Sequence, residues 1–184
     1  MNNRYIYLVF SKTGTWLSRL ISAVSDIRYP HASLSFNSSF TEMYSFGRLD
    51  PDNPFSGGFV VENLHDGLFS RFSSCRCMIL RIKVTEEQYR ALQDYIAEFS
   101  KEKEKYKYNF LGLYGILLNK PIKRKNYYFC SQFISEALIK SKVLEHEKAP
   151  ELTRTDDLYS IKNKELLYEG LVNQRYRIPA FSQA

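Results

Sequence analysis

Cys130 is the residue of this sequence best placed to act as a nucleophile. It follows the aromatic run 127–129 and opens a segment, 131–138, whose apolar residues recur at helical spacing. The positive end of a helix stabilises a thiolate, and the free backbone N–H groups there can hold an oxyanion. A small buried apolar residue at a helix start gives the same pattern. The residues around Cys130 leave both interpretations open.

A cysteine nucleophile needs a base, and the chain has three histidines. His146 lies in a charged stretch, and His65 lies in a loop beside Asp66, so neither is well placed. His31 begins a segment that alternates as a strand does, which can fix an imidazole at the rim of a sheet facing a helix start. Taken alone, His31 is a partly exposed histidine after a proline. Its pairing with Cys130 favours the catalytic interpretation.

Other kinds of site find little support in the sequence. Cys75 and Cys77 lie two apart on a predicted strand and therefore share a face. No second pair and no histidine spacing completes a zinc site, so we expect both to pack in the core or at an edge. Residues 56–58 are too short for a phosphate loop and lack the lysine and serine that follow one. We expect no metal and no cofactor.

The composition indicates one folded domain over residues 1–184. The chain is 44% hydrophobic and 15% aromatic, which suits a core that folds without metals or disulfides. Residues 1–11 lack the pattern of a secretory signal, and no apolar run is long enough to span a bilayer. Three cysteines do not form the disulfide framework of a small secreted fold. The sequence therefore predicts a cytoplasmic protein.

Apolar periodicity predicts the elements that would position the candidate residues. Strands are predicted at five places: residues 5–10, 31–36, 40–46, 58–62 and 75–84. Helices are predicted at four: residues 16–24, 85–105, 110–118 and 130–141. Thr85 and Gln88 form a capping-box pattern at the start of the second of these helices. The polar turn 37–39 predicts a hairpin with His31 at the start of its first strand.

The positive charge of the chain is concentrated in two places. The net charge is +6 and the pI is about 9.1, which favours anionic partners. Residues 101–107 alternate lysine with glutamate and indicate a solvated helix end. Four cations follow without an intervening acid and are available to phosphate or an anionic surface: Lys120, Lys123, Arg124 and Lys125. Plain solvation is the alternative for this second cluster.

Three segments together resemble a known family. Residues 31–36 (HASLSF), 42–47 (EMYSFG) and 128–138 (YFCSQFISEAL) resemble the circularly permuted NlpC-type papain-like hydrolases, and the YiiX group in particular. In that family the histidine strand precedes the cysteine helix, whereas standard NlpC-type enzymes and papain have the opposite order. The lecithin:retinol acyltransferase family shares the permuted order. The resemblance also takes in residues 108–112 and 150–176.

The resemblance implies an α+β, permuted papain-like fold, with a small antiparallel sheet or half-barrel packed against the cysteine-bearing helix. It also implies a third polar residue on the strand after the histidine strand, within residues 40–46 here, although the family often has histidine or glutamine there. We expect Glu42 in this role, because a carboxylate that accepts from the imidazole holds its tautomer. A one-residue slip in register would give the role to Tyr44 or Ser45.

The expected function is a thiol hydrolase that cleaves an amide bond through a thioacyl intermediate, with Cys130, His31 and Glu42 as the catalytic set. The resemblance makes cell-wall peptides one candidate substrate. Three residues are expected to contact the substrate: Tyr128, Ser131 and Tyr44. A lipid acyltransferase or acyl hydrolase of the same permuted fold is the alternative. A non-catalytic basic binding module is a further alternative, but it would need no Cys–His pair, and nucleic acid is not an expected partner.

Overall fold

The computed structural model describes residues 4–13, 27–49, 56–145 and 148–177. Eight strands lie within these residues: β1 Arg4–Lys12, β2 His31–Ser35, β3 Met43–Arg48, β4 Gly57–Glu62, β5 Arg76–Val84, β6 Lys107–Tyr108, β7 Tyr127–Tyr128 and β8 Lys164–Leu171. The α-helices of the described part are α1 Leu68–Arg71, α2 Glu86–Lys101, α3 Phe110–Leu117 and α4 Cys130–Lys140. Short 3-10 helices cover Lys103–Lys105, Pro150–Leu152, Asp157–Ser160 and Val172–Arg177. The predicted α+β class is confirmed.

The eight strands form one sheet in the order β7-β6-β4-β3-β2-β1-β5-β8. Neighbouring strands are antiparallel except β6 and β7, which are parallel. The central strand β1 sends Ile6, Leu8 and Phe10 to one hydrophobic cluster and Tyr7 and Val9 to another. Both faces of β1 are therefore buried, which explains why this strand is a continuous apolar run rather than an alternating one.

Helices α2 and α4 contribute to the first cluster, together with one face of the sheet. The predicted capping box is present at the start of α2: the amide of Gln88 donates to the Thr85 hydroxyl at 3.2 Å, and the amide of Thr85 donates to the Gln88 side chain at 2.9 Å. The apolar stripes of the two helices are buried in this cluster: Leu92, Tyr95, Ile96, Phe99, Phe133, Ile134, Ala137 and Leu138. This packing fixes the axis of α4 against the sheet that carries His31.

The second cluster lies on the other side of β1 and contains Cys75 and Cys77 beside Phe69 of α1. Both thiols are buried, and neither forms a disulfide. Burial raises the pKa of the Cys75 thiol to about 11. The pair thus packs in the core, as predicted.

The strand predictions near His31 agree closely with the structure, and so do the helices that begin after Thr85, Asn109 and Phe129. The helix predicted at residues 16–24 lies outside the described residues. Two glycines weaken the helical pattern of α3, and one has a packing reason: a Cβ on Gly115 would lie 2.5 Å from the Lys120 carbonyl oxygen. None of the helices in the described ranges is long and apolar enough to cross a membrane.

Candidate active site

Cys130 is the first residue of α4. The preceding Phe129 is extended, with φ −108° and ψ 167°, and provides no side-chain cap. The first-turn N–H groups are therefore not occupied by a capping side chain, which leaves the positive end of the helix available to an anion. The thiol donates to the Pro30 carbonyl oxygen at 3.8 Å. Because Pro30 immediately precedes His31, this contact holds the sulfur at the start of β2.

The imidazole of His31 lies between Cys130 and a carboxylate. Its Nε2 is 3.0 Å from each carboxylate oxygen of Glu62, the last residue of β4. A carboxylate only accepts hydrogen bonds, so Nε2 carries a hydrogen, and Nδ1 is the nitrogen available to the thiol. The Cys130 side chain is close enough to the imidazole to raise the pKa of His31. The structure thus brings the two residues predicted to pair into one site.

The charges of this site stabilise one another. Burial alone would lower the pKa of His31, but the Glu62 charge and the hydrogen bonds with Cys130 and Glu62 hold this pKa well above 6.5. Burial alone would raise the pKa of Glu62, but the His31 charge and hydrogen bonds from His31 and Ser33 hold it below 4.5. Each group thus stabilises the charged form of the other, and their side chains are only 20% and 15% exposed.

Glu42 does not take the orienting role expected from the sequence. The β2–β3 register pairs Leu34 with Tyr44, and extending it places Gly47, not Glu42, opposite His31. Glu42 and Gly47 are five positions apart in the sequence, about 17 Å along an extended strand. The Glu42 carboxylate is exposed and accepts from the Tyr44 hydroxyl at 2.6 Å. The predicted carboxylate is therefore at the wrong end of the hairpin.

The other residues assigned from the sequence also have different partners. The hydroxyl of Ser45 donates to the Ala32 carbonyl oxygen at 2.6 Å, so it stabilises the hairpin backbone. The hydroxyl of Ser131 is buried and donates to the Thr153 carbonyl oxygen at 2.7 Å. Tyr128 is half-buried in an aromatic cluster, and burial raises its pKa to about 12. Ser131, Tyr128 and Tyr44 thus each have contacts within the protein, and their expected contacts with a substrate stay predictions.

Glu62 reaches His31 across β3, because β3 carries small residues at this level. Strand β3 lies between β2 and β4, and its Ser45 and Gly47 share a face. A Cβ placed on Gly47 would lie 3.6 Å from Glu62 Oε1 and 3.7 Å from His31 Cε1. The missing side chain leaves room for the imidazole and the carboxylate to meet.

Ser33 supports this contact from the strand of the histidine itself. Its hydroxyl donates to Glu62 Oε2 at 2.6 Å and lies 3.3 Å from His31 Nε2. Residues two apart on a strand share a face, so the position of Ser33 next to the imidazole was visible in the sequence. Its partner was not, because Glu62 belongs to a strand whose place in the sheet the sequence does not give.

Residues 153–155 contact both the segment before His31 and the start of the cysteine helix α4. The Thr155 hydroxyl donates to the Tyr29 carbonyl oxygen at 2.6 Å, two residues before His31. The Thr153 carbonyl oxygen accepts from Ser131, one residue after Cys130. Thr153 and Thr155 are both buried. This segment, the 153–155 clamp, therefore fixes the start of β2 relative to the start of α4.

Tyr108 is a further residue close to the sulfur. It lies on β6, where it pairs with Tyr128 of β7, two residues before Cys130. Burial, and after it the repulsion that an ionised Cys130 would exert on a phenolate, raise the pKa of Tyr108 well above 10. Its hydroxyl therefore stays protonated as a hydrogen-bond donor. Close packing holds the ring in place, because a Cβ on Gly57 would lie only 2.6 Å from the Tyr108 Cβ.

A cleft of about 530 Å³ opens on the Glu62 side of the site. Glu62 lines it together with Arg48, Val60, Tyr106 and Lys107. Cys130 itself is 4% exposed, so the solvent-facing part of the site is the His31–Glu62 pair.

The remaining histidine of the described residues has a separate partner. His65 Nε2 donates to the Ser39 carbonyl oxygen at 2.7 Å, and His146 lies outside the described residues.

No family model, curated protein or solved structure matches the chain. The chemistry of the site must therefore be argued from its own geometry.

Proposed function

We propose that this chain is a thiol hydrolase that cleaves an amide bond through a thioacyl intermediate. Cys130 is the nucleophile, His31 is the general base and acid, and Glu62 is the positioning residue. The observation that carries the proposal is the placement of one imidazole between a carboxylate and a thiol at a helix N-terminus. This is the arrangement in which a cysteine is activated by a base that a third group orients.

The first half of the reaction forms the thioacyl bond. His31 Nδ1 takes the Cys130 proton, and the resulting thiolate attacks the carbonyl carbon of the substrate. The carbonyl oxygen becomes an oxyanion, and the uncapped N–H groups at the start of α4, the helix that Cys130 opens, would donate to it. When the tetrahedral intermediate collapses, the C–N bond breaks. The leaving amine takes the proton from the His31 imidazolium.

The second half releases the acyl group. His31, now neutral, takes a proton from water, and the hydroxide attacks the thioester carbon. The C–S bond breaks, the product leaves as a carboxylic acid, and the thiol regains a proton from His31. Glu62 stays ionised throughout, since its role is to hold Nε2–H and stabilise the imidazolium that forms twice in each cycle.

The chain order supports a permuted papain-like fold for this site. The histidine strand β2 precedes the cysteine helix α4, and α4 packs against the antiparallel sheet that carries the histidine. One departure from the expected pattern concerns the third residue, which comes from β4 and reaches across β3. We attribute this departure to Gly47, because a larger side chain at this position would fill the space in which Glu62 and His31 meet.

A lipid ester is the second candidate substrate, and one observation favours it. Helix α3, which ends before the segment that leads to Cys130, exposes several large apolar side chains. The same thioacyl chemistry applies to an ester, with an alcohol as the leaving group. Hydrolysis of amide and ester model substrates by one preparation separates the two candidates.

Alkylation with iodoacetamide, followed by mapping of the modified cysteines, tests the nucleophile. A small reagent is needed because Cys130 is 4% exposed. We expect Cys130 to react much faster than Cys75 and Cys77 at neutral pH, and to react more slowly in His31→Gln. The buried Cys75 and Cys77 serve as internal controls.

Acyl transfer from p-nitrophenyl acetate then tests the intermediate. Rapid quenching should give a mass increase of one acetyl group on Cys130 in the wild type, and none in Cys130→Ser. If Cys130 labels no faster than Cys75 and no acetyl group accumulates on it, the proposed hydrolase mechanism is wrong.

A further inference from the structure

Helix α3 exposes an apolar face instead of a polar one. Between Asn109 and Asn119 the sequence contains no charged residue. Four large side chains of α3 and its C-cap are each more than half exposed: Leu111, Tyr114, Leu117 and Leu118. At about 100° per residue these four positions fall within roughly 120° of the helix circumference. On the other side of α3, Leu113 and Ile116 pack against the core.

The segment 120–125, which carries the four cations noted in the sequence, folds back against this helix. The Lys120 amide donates to the Gly115 carbonyl oxygen at 2.9 Å. The Asn109 side chain, which caps α3, also donates to the Ile122 carbonyl oxygen at 3.2 Å. The segment 120–125 and the exposed side of α3 are thus one structural unit, which we call the α3 face.

The side chains of this segment present positive charge. Lys120, Lys123 and Lys125 are exposed. Lys123 lies 3.7 Å from a Glu151 carboxylate oxygen, while the Arg124 guanidinium lies 3.7 Å from the centre of the Tyr127 ring. Only one of the four cations thus has a carboxylate partner among the described ion pairs.

We propose that the α3 face docks on the surface of a lipid bilayer that contains anionic lipids. Leucine and tyrosine side chains partition into the boundary between headgroups and acyl chains, and lysine and arginine beside them meet anionic headgroups. A two-fold interface between copies of this chain is disfavoured, because it would place the same cations opposite one another. The binding proposal does not depend on the hydrolase proposal.

Docking through this face would bring the candidate site near the membrane. The segment 109–126 is inserted between β6 and β7, and Tyr128 of β7 lies two residues before Cys130. Residues 118–129 alone connect the end of α3 to the start of α4.

Vesicle flotation with the full chain tests the proposal. Vesicles of phosphatidylcholine alone are compared with vesicles that also contain phosphatidylserine. We expect binding to the second kind only. We also expect a loss of about tenfold or more in Leu117→Glu/Leu118→Glu and in Lys120→Glu/Lys125→Glu, since each basic residue near an anionic surface contributes about fivefold. Leu166→Glu is the matched control, because Leu166 is a similarly exposed leucine on β8.

Circular dichroism and unchanged alkylation of Cys130 establish that each variant is folded. Equal loss of binding in Leu166→Glu, or failure of the wild type to bind either kind of vesicle, overturns the proposal. So does a dimer in size-exclusion chromatography that Leu117→Glu/Leu118→Glu dissociates, because the face would then be an interface between copies.

Discussion

His31 Nε2 lies 3.0 Å from both carboxylate oxygens of Glu62, although a third strand separates the two strands that carry them. The contact spans β3 at the level of Gly47, where no side chain intervenes. It raises the pKa of His31 and lowers the pKa of Glu62, after burial has acted in the opposite direction on each. The open space at Gly47 therefore lets His31 and Glu62 stabilise each other's charged forms.

Replacing Glu62 should disable the site, and replacing Glu42 should not. Glu62→Gln removes the negative charge that supports the imidazolium, and we expect kcat/KM to fall by about a hundredfold. Glu42→Ala should stay within about twofold of wild type, since Glu42 contacts Tyr44 at the surface. Steady-state kinetics on a model ester measure both. Equal activity of Glu62→Gln and wild type would remove Glu62 from the mechanism.

The His31–Glu62 pair should produce a defined pH dependence of stability. The raised pKa of His31 stabilises the fold fully below pH 6.5, and this contribution is lost as pH rises through the folded-state pKa. The lowered pKa of Glu62 stabilises it fully above pH 4.5, and that contribution is lost as pH falls through the folded-state pKa. The difference in Tm between wild type and Glu62→Gln should thus be largest between pH 4.5 and pH 6.5.

Thermal unfolding from acid to alkaline pH measures this difference. Glu42→Ala is the control and should keep the wild-type profile. A constant offset between wild type and Glu62→Gln across the whole range would mean that the pair is not ionised as described.

Substitutions at Gly47 should affect the site in proportion to their size. An alanine Cβ would make ordinary contacts with Glu62 and His31 at 3.6 and 3.7 Å and a tight one with Val60 at 3.3 Å. We therefore expect Gly47→Ala to keep most of the activity. Gly47→Val adds two methyl groups between the imidazole and the carboxylate, at a cost of about 1–3 kcal/mol, and should lose activity as Glu62→Gln does. Matching kcat/KM values for the alanine and valine variants would contradict the proposal that Glu62 contacts His31 through the space left by Gly47.

Thr155 should be needed both for stability and for the geometry of the site. Thr155→Val keeps the shape of the side chain but leaves the buried Tyr29 carbonyl oxygen without this donor, at a cost of about 1–3 kcal/mol. The expected fall in Tm is about 2–4 °C for each kcal/mol in a chain of this size. Activity should fall as well, because the residues before His31 are released. Thr155→Ser retains the hydroxyl and should restore both quantities.

Local sequence signals predicted most of what places Cys130 and His31. The capping box at Thr85, the hairpin that His31 opens and the helix that begins at Cys130 are each encoded within a few residues, and the structure contains all three. These signals are short-range because caps, turns and amphipathic periodicity depend on neighbours in sequence. These local signals predicted that His31 opens a strand and that Cys130 opens a helix, and the packing of that helix on the sheet brings the two residues together.

The third residue could not be predicted in the same way. A hairpin determines which residues of the adjacent strand face His31, but Glu62 comes from the strand beyond it, 31 positions away in sequence. Selecting it requires the order of strands in the sheet and the absence of a side chain at Gly47. The hydrogen bond of Ser131 could not be predicted for a similar reason, since its partner Thr153 is 22 positions away. Both are long-range contacts that no local pattern records.

The 153–155 clamp also bears on when the protein acquires reactivity during its synthesis. Translation makes His31 first, then Cys130, and Thr153 and Thr155 only afterwards. A nascent chain that ends before Thr153 holds a thiol and an imidazole without the bonds that fix Tyr29 and Ser131 in their places. Such a chain would lack the bonds that order the proposed nucleophile and base. Dependence on a late segment would thus delay the proposed chemistry until translation has passed Thr155.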